Sequence, residues 1–462
     1  MSVTTSHLAQ QQRAFIAGIP VLIFWIAAVS LLPVAALLGG MAMVLIGIAV
    51  CLAVLVYQRP AEAPGAAMLY LFGASIVLPY SSRFDFTLQS SEMYYWAAGL
   101  LIITVAVVAR IGIRRVLTVP LSAKVFLAVA LAAAVHGETH GAATSYVLRQ
   151  LYGVLLLVVY FGIARQAGDQ ELLLRRIQTF GVLCACCFFA YYLAVFDSYG
   201  FHKEMGFNGT QASLLAVMLF ITGLERGKYT WVFGGLTLFL VPLLLFQRGD
   251  ALTFLMAAPA ALALKLRSIK LRLLCYSAIA LVALTATVPF VAQYAADQMA
   301  KVPVIADVVP EGSREAATLA DRAVQLAAAA NTVQAHPLLG AGLGSFLGFE
   351  SSALGYEETG YVDSGWGYLL QKMGILGLAA FVWFLMTIMR RMSRGSLALS
   401  SCLLAAILVR MFSQPVFLHF TTAPFVGALA GLLLAKNGWD HTQEVSTLVR
   451  GQRVASPLTE RI

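Results

Sequence analysis

Apolar residues run through this chain in long blocks, broken by short polar stretches. A hydrocarbon core about 30 Å thick needs roughly 20 residues of helix to cross it. On that rule the pattern predicts about fourteen apolar segments: 15–33, 34–57, 64–80, 93–109, 121–135, 146–164, 180–196, 210–224, 231–246, 251–264, 273–292, 367–389, 397–412 and 421–435. Several are short, as tilted or re-entrant helices are. The expected fold is all-α: a polytopic transmembrane helical bundle of about 12–14 spans, with a long, partly helical outer-face loop. Residues 1–292 carry the N-terminal transmembrane helices and 293–366 the large outer-face loop. Residues 367–435 carry the C-terminal transmembrane helices and 436–462 a cytoplasmic tail.

The long loop has its own pattern. "SREAATLADRAVQLAAAANTVQA" (313–335) is alanine-rich and predicts a helix. Ser313 can cap its start and Pro337 stops it. "LLGAGLGSF" (338–346) then reads as a glycine-rich turn. A connection this long is usually functional or structured.

Composition narrows the class. The chain is 60% hydrophobic and 11% charged, where soluble domains carry about 25% charged residues. That excludes an ordinary soluble domain. All six cysteines (Cys51, Cys184, Cys186, Cys187, Cys275, Cys402) fall in apolar runs, where free cysteine behaves as a small hydrophobe. No disulfide framework is implied. "CACC" at 184–187 has no histidine or acid beside it, so no metal is assigned.

The net charge of +9 follows topology, not nucleic acid. Lys and Arg concentrate in short cytoplasmic loops. "RIGIRR" (110–115), "RQAGDQELLLRR" (165–176), "ERGK" (225–228), "KLRSIKLR" (265–272) and "RRMSR" (390–394) are each two spans apart. All five fit one side, which puts both termini in the cytoplasm. The N-terminus is polar and shows no cleavable signal; the first apolar run is read as a span.

Charges that break this trend are the informative ones. Arg83, Arg149, Arg248 and Arg410 lie near the outer ends of spans, Arg322 lies in the long loop, and Lys203 and Lys372 share that side. One such arginine can simply snorkel or pair locally, as Arg248 can with Asp250. Arg149 and Arg248 together suit a shared anionic ligand, because guanidinium groups hold phosphate bidentately and stay charged. The acids Asp85, Glu138, Glu350, Glu357, Glu358 and Asp363 share the face. Asp363, in "VDSGWGYLL", fits two roles: a general base toward a hydroxyl, or a cap at the start of a span. His336, before Pro337, fits a weaker base or a helix-end contact. His202 and His419 are lone outer-face histidines with no partner pattern.

"RAVQLAAAANTVQAHPLLGAGLGSF" (322–346) followed by "DSGWGYLLQKMGILGL" (363–378) resembles the shared region of the O-antigen ligase and O-antigen polymerase superfamily. "LLLFQRGDAL" is similar to that family's arginine element at the outer end of a span, and "MGFNGTQASLLAVMLF" (205–220) is similar to the element before it. The resemblance covers roughly residues 200 to 390. It implies a bacterial inner-membrane glycosyltransferase that needs neither metal nor other cofactor, with the large outer-face loop periplasmic. Its donor is an undecaprenyl-diphosphate-linked glycan, its acceptor a second glycan, and its surroundings are membrane lipids. A chain-length regulator is a further implied partner; nucleic acid is not.

By motif match the resemblance places Arg248 on the diphosphate and Arg322 at the head of the family's helix; Arg149 is their partner by position. Arg83, Arg410, Lys372, His336 and Glu350 join as substrate-binding candidates. The family's histidine position holds Asp363 here, its asparagine position Ser364, and its arginine element has Gln247 in place of serine. Aspartate at that position looks more like exopolysaccharide polymerases than ligases. The expected activity is polymerisation of lipid-linked repeat units on the periplasmic face. Transfer to a final acceptor such as lipid A core is the alternative. A polysaccharide or ion-coupled transporter, for which Lys372 within a span is the best-fitting residue, and a non-catalytic scaffold stand as readings from other classes.

Overall fold

The computed structural model describes residues 40–77, 89–166, 171–179, 181–183, 209–244, 253–254, 256–257, 314–351, 355–360, 362, 364–392, 396–411 and 416–435. The predicted segments 15–33 and 273–292, and most of 180–196 and 251–264, lie outside them, as do Arg83, Arg248 and Asp363.

The described chain is mostly helical. In order it forms α1 (Gly40–Gln58), a 3-10 turn (Pro60–Glu62), α2 (Ala63–Val77), α3 (Gln89–Ile111), the short α4 (Ile113–Val116), α5 (Leu121–Thr139) and α6 (Thr144–Gln166). After a helical stretch at 171–179 come α7 (Gly209–Arg226), α8 (Tyr229–Leu244) and α9 (Arg314–Ala335). The strands β1 (Leu347–Ser351) and β2 (Gly355–Thr359) follow, then α10 (Gly365–Met392), α11 (Leu397–Ala405) with a π-helical turn (Ala406–Arg410), and α12 (Ala423–Leu434). Three of these, α5, α6 and α10, are long and apolar enough to cross a membrane.

Packing rests on close backbone approach. On α12, Gly427 and Gly431 are four residues apart and face α6. A Cβ on Gly427 would stand 2.4 Å from the Leu157 carbonyl oxygen, and one on Gly431 2.3 Å from that of Phe161. Small residues at this spacing bring apolar helices together without a hydrophobic driving force between them. Rings fill the adjoining space: Phe126 of α5 lies 5.2 Å from Phe381 and 6.3 Å from Phe384 of α10, and Phe161 of α6 lies 5.6 Å from Phe384.

Described residues in or beside the basic stretches 110–115, 165–176, 225–228 and 390–394 contact one another or their neighbours at one end of the packed helices. The Arg165 guanidinium donates to the Thr118 carbonyl at 2.8 Å. Arg176 pairs with the buried Glu62 at 3.0 Å, and Glu171 holds both Arg175 (3.1 Å) and Arg226 (3.0 Å). The Leu397 N–H donates to Glu225 at 2.9 Å. Near the far end of α5 and the start of α6 lie residues 336–351 and 355–360 and the turn at 416–422, joined by Leu343 N–H to Ala133, Gln150 to Gly360 and the close approach of Gly153 to Leu418.

One element was not in the sequence reading. Within the long loop, β1 and β2 form an antiparallel hairpin with Leu347 opposite Thr359 and Glu350 opposite Tyr356. Leu347, Phe349 and Thr359 point inward, while Gly348, Glu350, Tyr356 and Glu358 point out.

Candidate functional site

The site is built where a glycine-rich loop fills a gap in a helix. Gly374 has φ +61° and ψ −160°, so the α10 ladder is interrupted there. An interruption leaves N–H and C=O groups that must find partners when buried. The loop after α9 supplies them. Ile375 N–H donates to the Pro337 carbonyl (2.9 Å) and Leu376 N–H to the Leu338 carbonyl (3.2 Å). The Gln371 carbonyl, which Ile375 would use in a continuous helix, accepts from Ala341 N–H instead (2.8 Å).

The glycines are what let the loop in. Gly340, Gly342 and Gly344 all have positive φ (64°, 85°, 83°), backbone that L side chains rarely adopt. A Cβ on Gly342 would lie 2.4 Å from backbone atoms of Gly137, and one on Gly137 1.9 Å from the Leu343 carbonyl oxygen. Facing glycines on α5 and on the loop thus permit the contact. Leu343 N–H then donates to the Ala133 carbonyl of α5 (2.9 Å). Gln150 of α6 clips both ends of the hairpin: its Oε1 accepts from Gly344 N–H (2.7 Å) and its Nε2 donates to the Gly360 carbonyl (3.2 Å).

Arg149, the neighbour of Gln150, is exposed on α6 and acts electrostatically on Tyr368 of α10 and on His419. His419 sits in the turn before α12, with Nδ1 2.6 Å from the Thr421 hydroxyl. Burial, and after it the Arg149 charge, push its imidazole down to about 4, so at neutral pH it is an uncharged ring. One cation, one neutral imidazole and one phenol from three elements therefore share a locus at the head of α10.

A second cluster lies at the end of α5. The rings of His136 and His140 are 4.0 Å apart, and His336, at the end of α9, stands 6.0 and 5.8 Å from them. His140 Nδ1 is 2.8 Å from the His136 carbonyl oxygen. The rings meet tilted or edge-on, and among the described residues no group of His, Cys, Asp or Glu is arranged to hold a metal ion.

The other expected residues fall as follows. Lys372 is fully buried (0% exposed) in α10, its Nζ donating to the Ser345 carbonyl of the loop. Arg410 is also buried, 4% exposed, in the π-helical turn after α11, a distortion frequent at functional sites. Glu350 is exposed on β1, opposite Tyr356. Arg322 lies on α9. Asp363 and Arg248 lie outside the described residues; at the start of α10 the Ser364 hydroxyl accepts from Gly367 N–H at 3.3 Å.

The sequence reading missed Gln150, Tyr368 and the histidine cluster, and it left His419 without a partner. The spacing His136-x-x-x-His140 puts two rings on one helix face and was a usable signal. Nothing in the sequence marked Gln150. The chain matches no protein-family model and no curated protein.

Proposed function

We propose that this chain is an inner-membrane glycosyltransferase that polymerises undecaprenyl-diphosphate-linked repeat units on the periplasmic face. The observation that carries the reading is the convergence of Arg149, Tyr368 and His419 at the head of α10, the helix that follows Asp363 directly in sequence. A cation beside neutral polar rings suits a diphosphate leaving group, because the guanidinium keeps its charge and its planar donor fork. The contacts that join residues 118, 165, 171, 226 and 397 at the opposite end support a bundle with its basic loops on one side. The many-span bundle and the periplasmic placement of residues 293–366 belong to this reading.

In the reaction, Arg149 and Arg248 neutralise the diphosphate as its bond to the anomeric carbon breaks. The acceptor hydroxyl attacks from the opposite side, its oxygen forms the new glycosidic bond, and its proton passes to Asp363. The anomeric centre inverts.

The test is a deletion strain complemented with wild type, Arg149→Ala, Arg248→Ala or Asp363→Asn, with membrane insertion checked and glycan length read on a gel. Each variant is expected to leave single repeat units, with polymer reduced by about a hundredfold or more, the usual cost of losing a group that acts on the transition state. Full-length polymer with Arg149→Ala would overturn the reading. Long lipid-linked chains that never reach their final acceptor would assign the chain to ligation instead.

A further inference from the structure

Lys372 has an environment that substrate binding does not explain. Its side chain is among the largest that are fully buried, and among the described residues its Nζ reaches the carbonyl and, at 3.4 Å, the hydroxyl of Ser345, with the Tyr368 ring centre at 5.8 Å. No carboxylate pairs with it among the described residues. A snorkelling lysine would carry its ammonium out to water; this one is turned into the protein. Taking an ammonium out of water costs several kcal/mol, and one neutral carbonyl offsets part of that. A residue kept in such a place has a use.

Ser345 shows what that use is. It lies between Gly344, whose N–H is held by Gln150, and the first residue of β1. The loop is thus fastened to α5 by backbone at Leu343, to α6 by the Gln150 side chain, and to α10 by the Lys372 side chain. Lys372 and Gln150 grip adjacent residues from two different helices, and Gln150 adjoins Arg149. Backbone hydrogen bonds already join the start of the loop to α10, from Ala341 N–H to Gln371 and from Ile375 and Leu376 N–H to Pro337 and Leu338. The two side chains add the hold at Gly344 and Ser345, where the loop enters the hairpin.

We infer that Lys372 is a positioning residue: with Gln150 it pins residues 344–345 between α6 and α10 and so fixes the base of the hairpin beside Arg149. The pin follows from the geometry; its importance for glycan transfer rests on the function proposed above. Lys372→Met keeps the length and apolar stem of the side chain and removes the donors. Ser345→Ala keeps the carbonyl that accepts.

The experiment uses full-length protein in lipid nanodiscs and reads amide hydrogen exchange at Ala341, Leu343 and Gly344. Lys372→Met is expected to speed exchange there about tenfold, in line with the loss of one hydrogen bond, with the helices unchanged and Ser345→Ala close to wild type. Gln150→Leu should do the same at Gly344, and the double variant should fall short of the product of the two single effects, because both hold one segment. Unchanged exchange in both single variants, or multiplicative effects in the double variant, would overturn the inference.

Where transfer activity is present, Lys372→Met should raise the acceptor KM severalfold and leave kcat within about a factor of two. A lost kcat with KM unchanged would make Lys372 a catalytic residue and sink the positioning role. Absence of transfer in wild type would refute the proposed function while the exchange data still decide on the pin.

Discussion

The two ends of this bundle are held together by different physics. At the basic end, loops are tied by ion pairs between long side chains: Glu171 with Arg175 and Arg226, and Glu62 with Arg176. At the other end, a loop is threaded between three helices through glycine backbone, with one buried lysine and one glutamine as its side-chain anchors. The exposed pairs of Glu171 contribute little each and tolerate change; Glu62, buried, is the exception at this end. Threaded backbone has no slack, because a single added carbon meets a neighbouring main chain that cannot move aside. The end with the least tolerance is the end that presents Arg149.

The contrast predicts its largest effect at Gly342. Gly342→Ala puts a Cβ on a residue with φ +85° and aims it at the Gly137 backbone 2.4 Å away. Left-handed backbone costs a non-glycine residue roughly 1–2 kcal/mol, and overpacking adds about 1–3 kcal/mol. The expected outcome is a loss of about 3 kcal/mol, read as a large fall in melting temperature or as failure to accumulate folded protein. Gly227, by contrast, sits at the basic end with φ +64° and nothing within 4 Å of its would-be Cβ. Gly227→Ala should show the conformational cost alone. Equal losses at the two glycines would mean that threading does not distinguish the ends.

Next in size is a pH effect confined to the threaded end. The folded His419 has its pKa lowered from 6.5 to about 4 by burial and by Arg149. The unfolded chain therefore binds more protons than the folded one between those values, and stability rises with pH across that window. Stability is full above about pH 6.5 and is lost progressively as pH falls toward 4. At pH 5 the loss from this residue is about 1–2 kcal/mol. His419→Gln should flatten that part of a melting-temperature profile. Arg149→Met should shrink the decline without abolishing it, since burial is the larger cause. A His419→Gln profile that falls as steeply as wild type would show that this ring is not the titrating group.

How far the sequence could reveal these two ends differs as well. Hydrophobic runs alone located α1, α2, α3, α5, α6, α7, α8 and α10–α12, usually within a few residues, because burying apolar length is a one-dimensional signal. Alanine content located α9 for the same reason. The threaded loop was legible as a turn from "GAGLG", but not its partners, since Gly137 and Gly374 lie on helices far away in sequence. The hairpin was hidden because each strand is five residues long and buries only Leu347, Phe349 and Thr359. Lys372 stood out as an ionisable residue inside an apolar run. Its partner is a backbone carbonyl, which every residue has, so no pattern could name it. Gln150 had no signal: a polar residue near a helix start is ordinary, and its two bonds exist only in three dimensions.

The smallest effect is expected at Glu171, where the comparison is sharpest. This carboxylate holds two arginines, yet it is about one-third exposed and its partner Arg175 is mostly exposed. Such pairs are worth about 0–1 kcal/mol and are screened by salt. Glu171→Ala should therefore lower the melting temperature by a degree or two at low salt, and by less at 0.5 M salt. Arg176→Ala belongs to the same end but differs in kind, because it strands the buried Glu62 carboxylate, whose side chain is 8% exposed. That loss should exceed the Glu171 one and resist salt, since a buried charge left alone gains little from screening ions. The ranking Gly342, then Arg176, then Glu171 in melting temperature is thus a ladder from backbone contact, through a half-buried pair, to a solvated one. If Glu171→Ala proved as damaging as Gly342→Ala at high salt, the basic end would be held by more than its visible charges, and the division between the two ends would have to be redrawn.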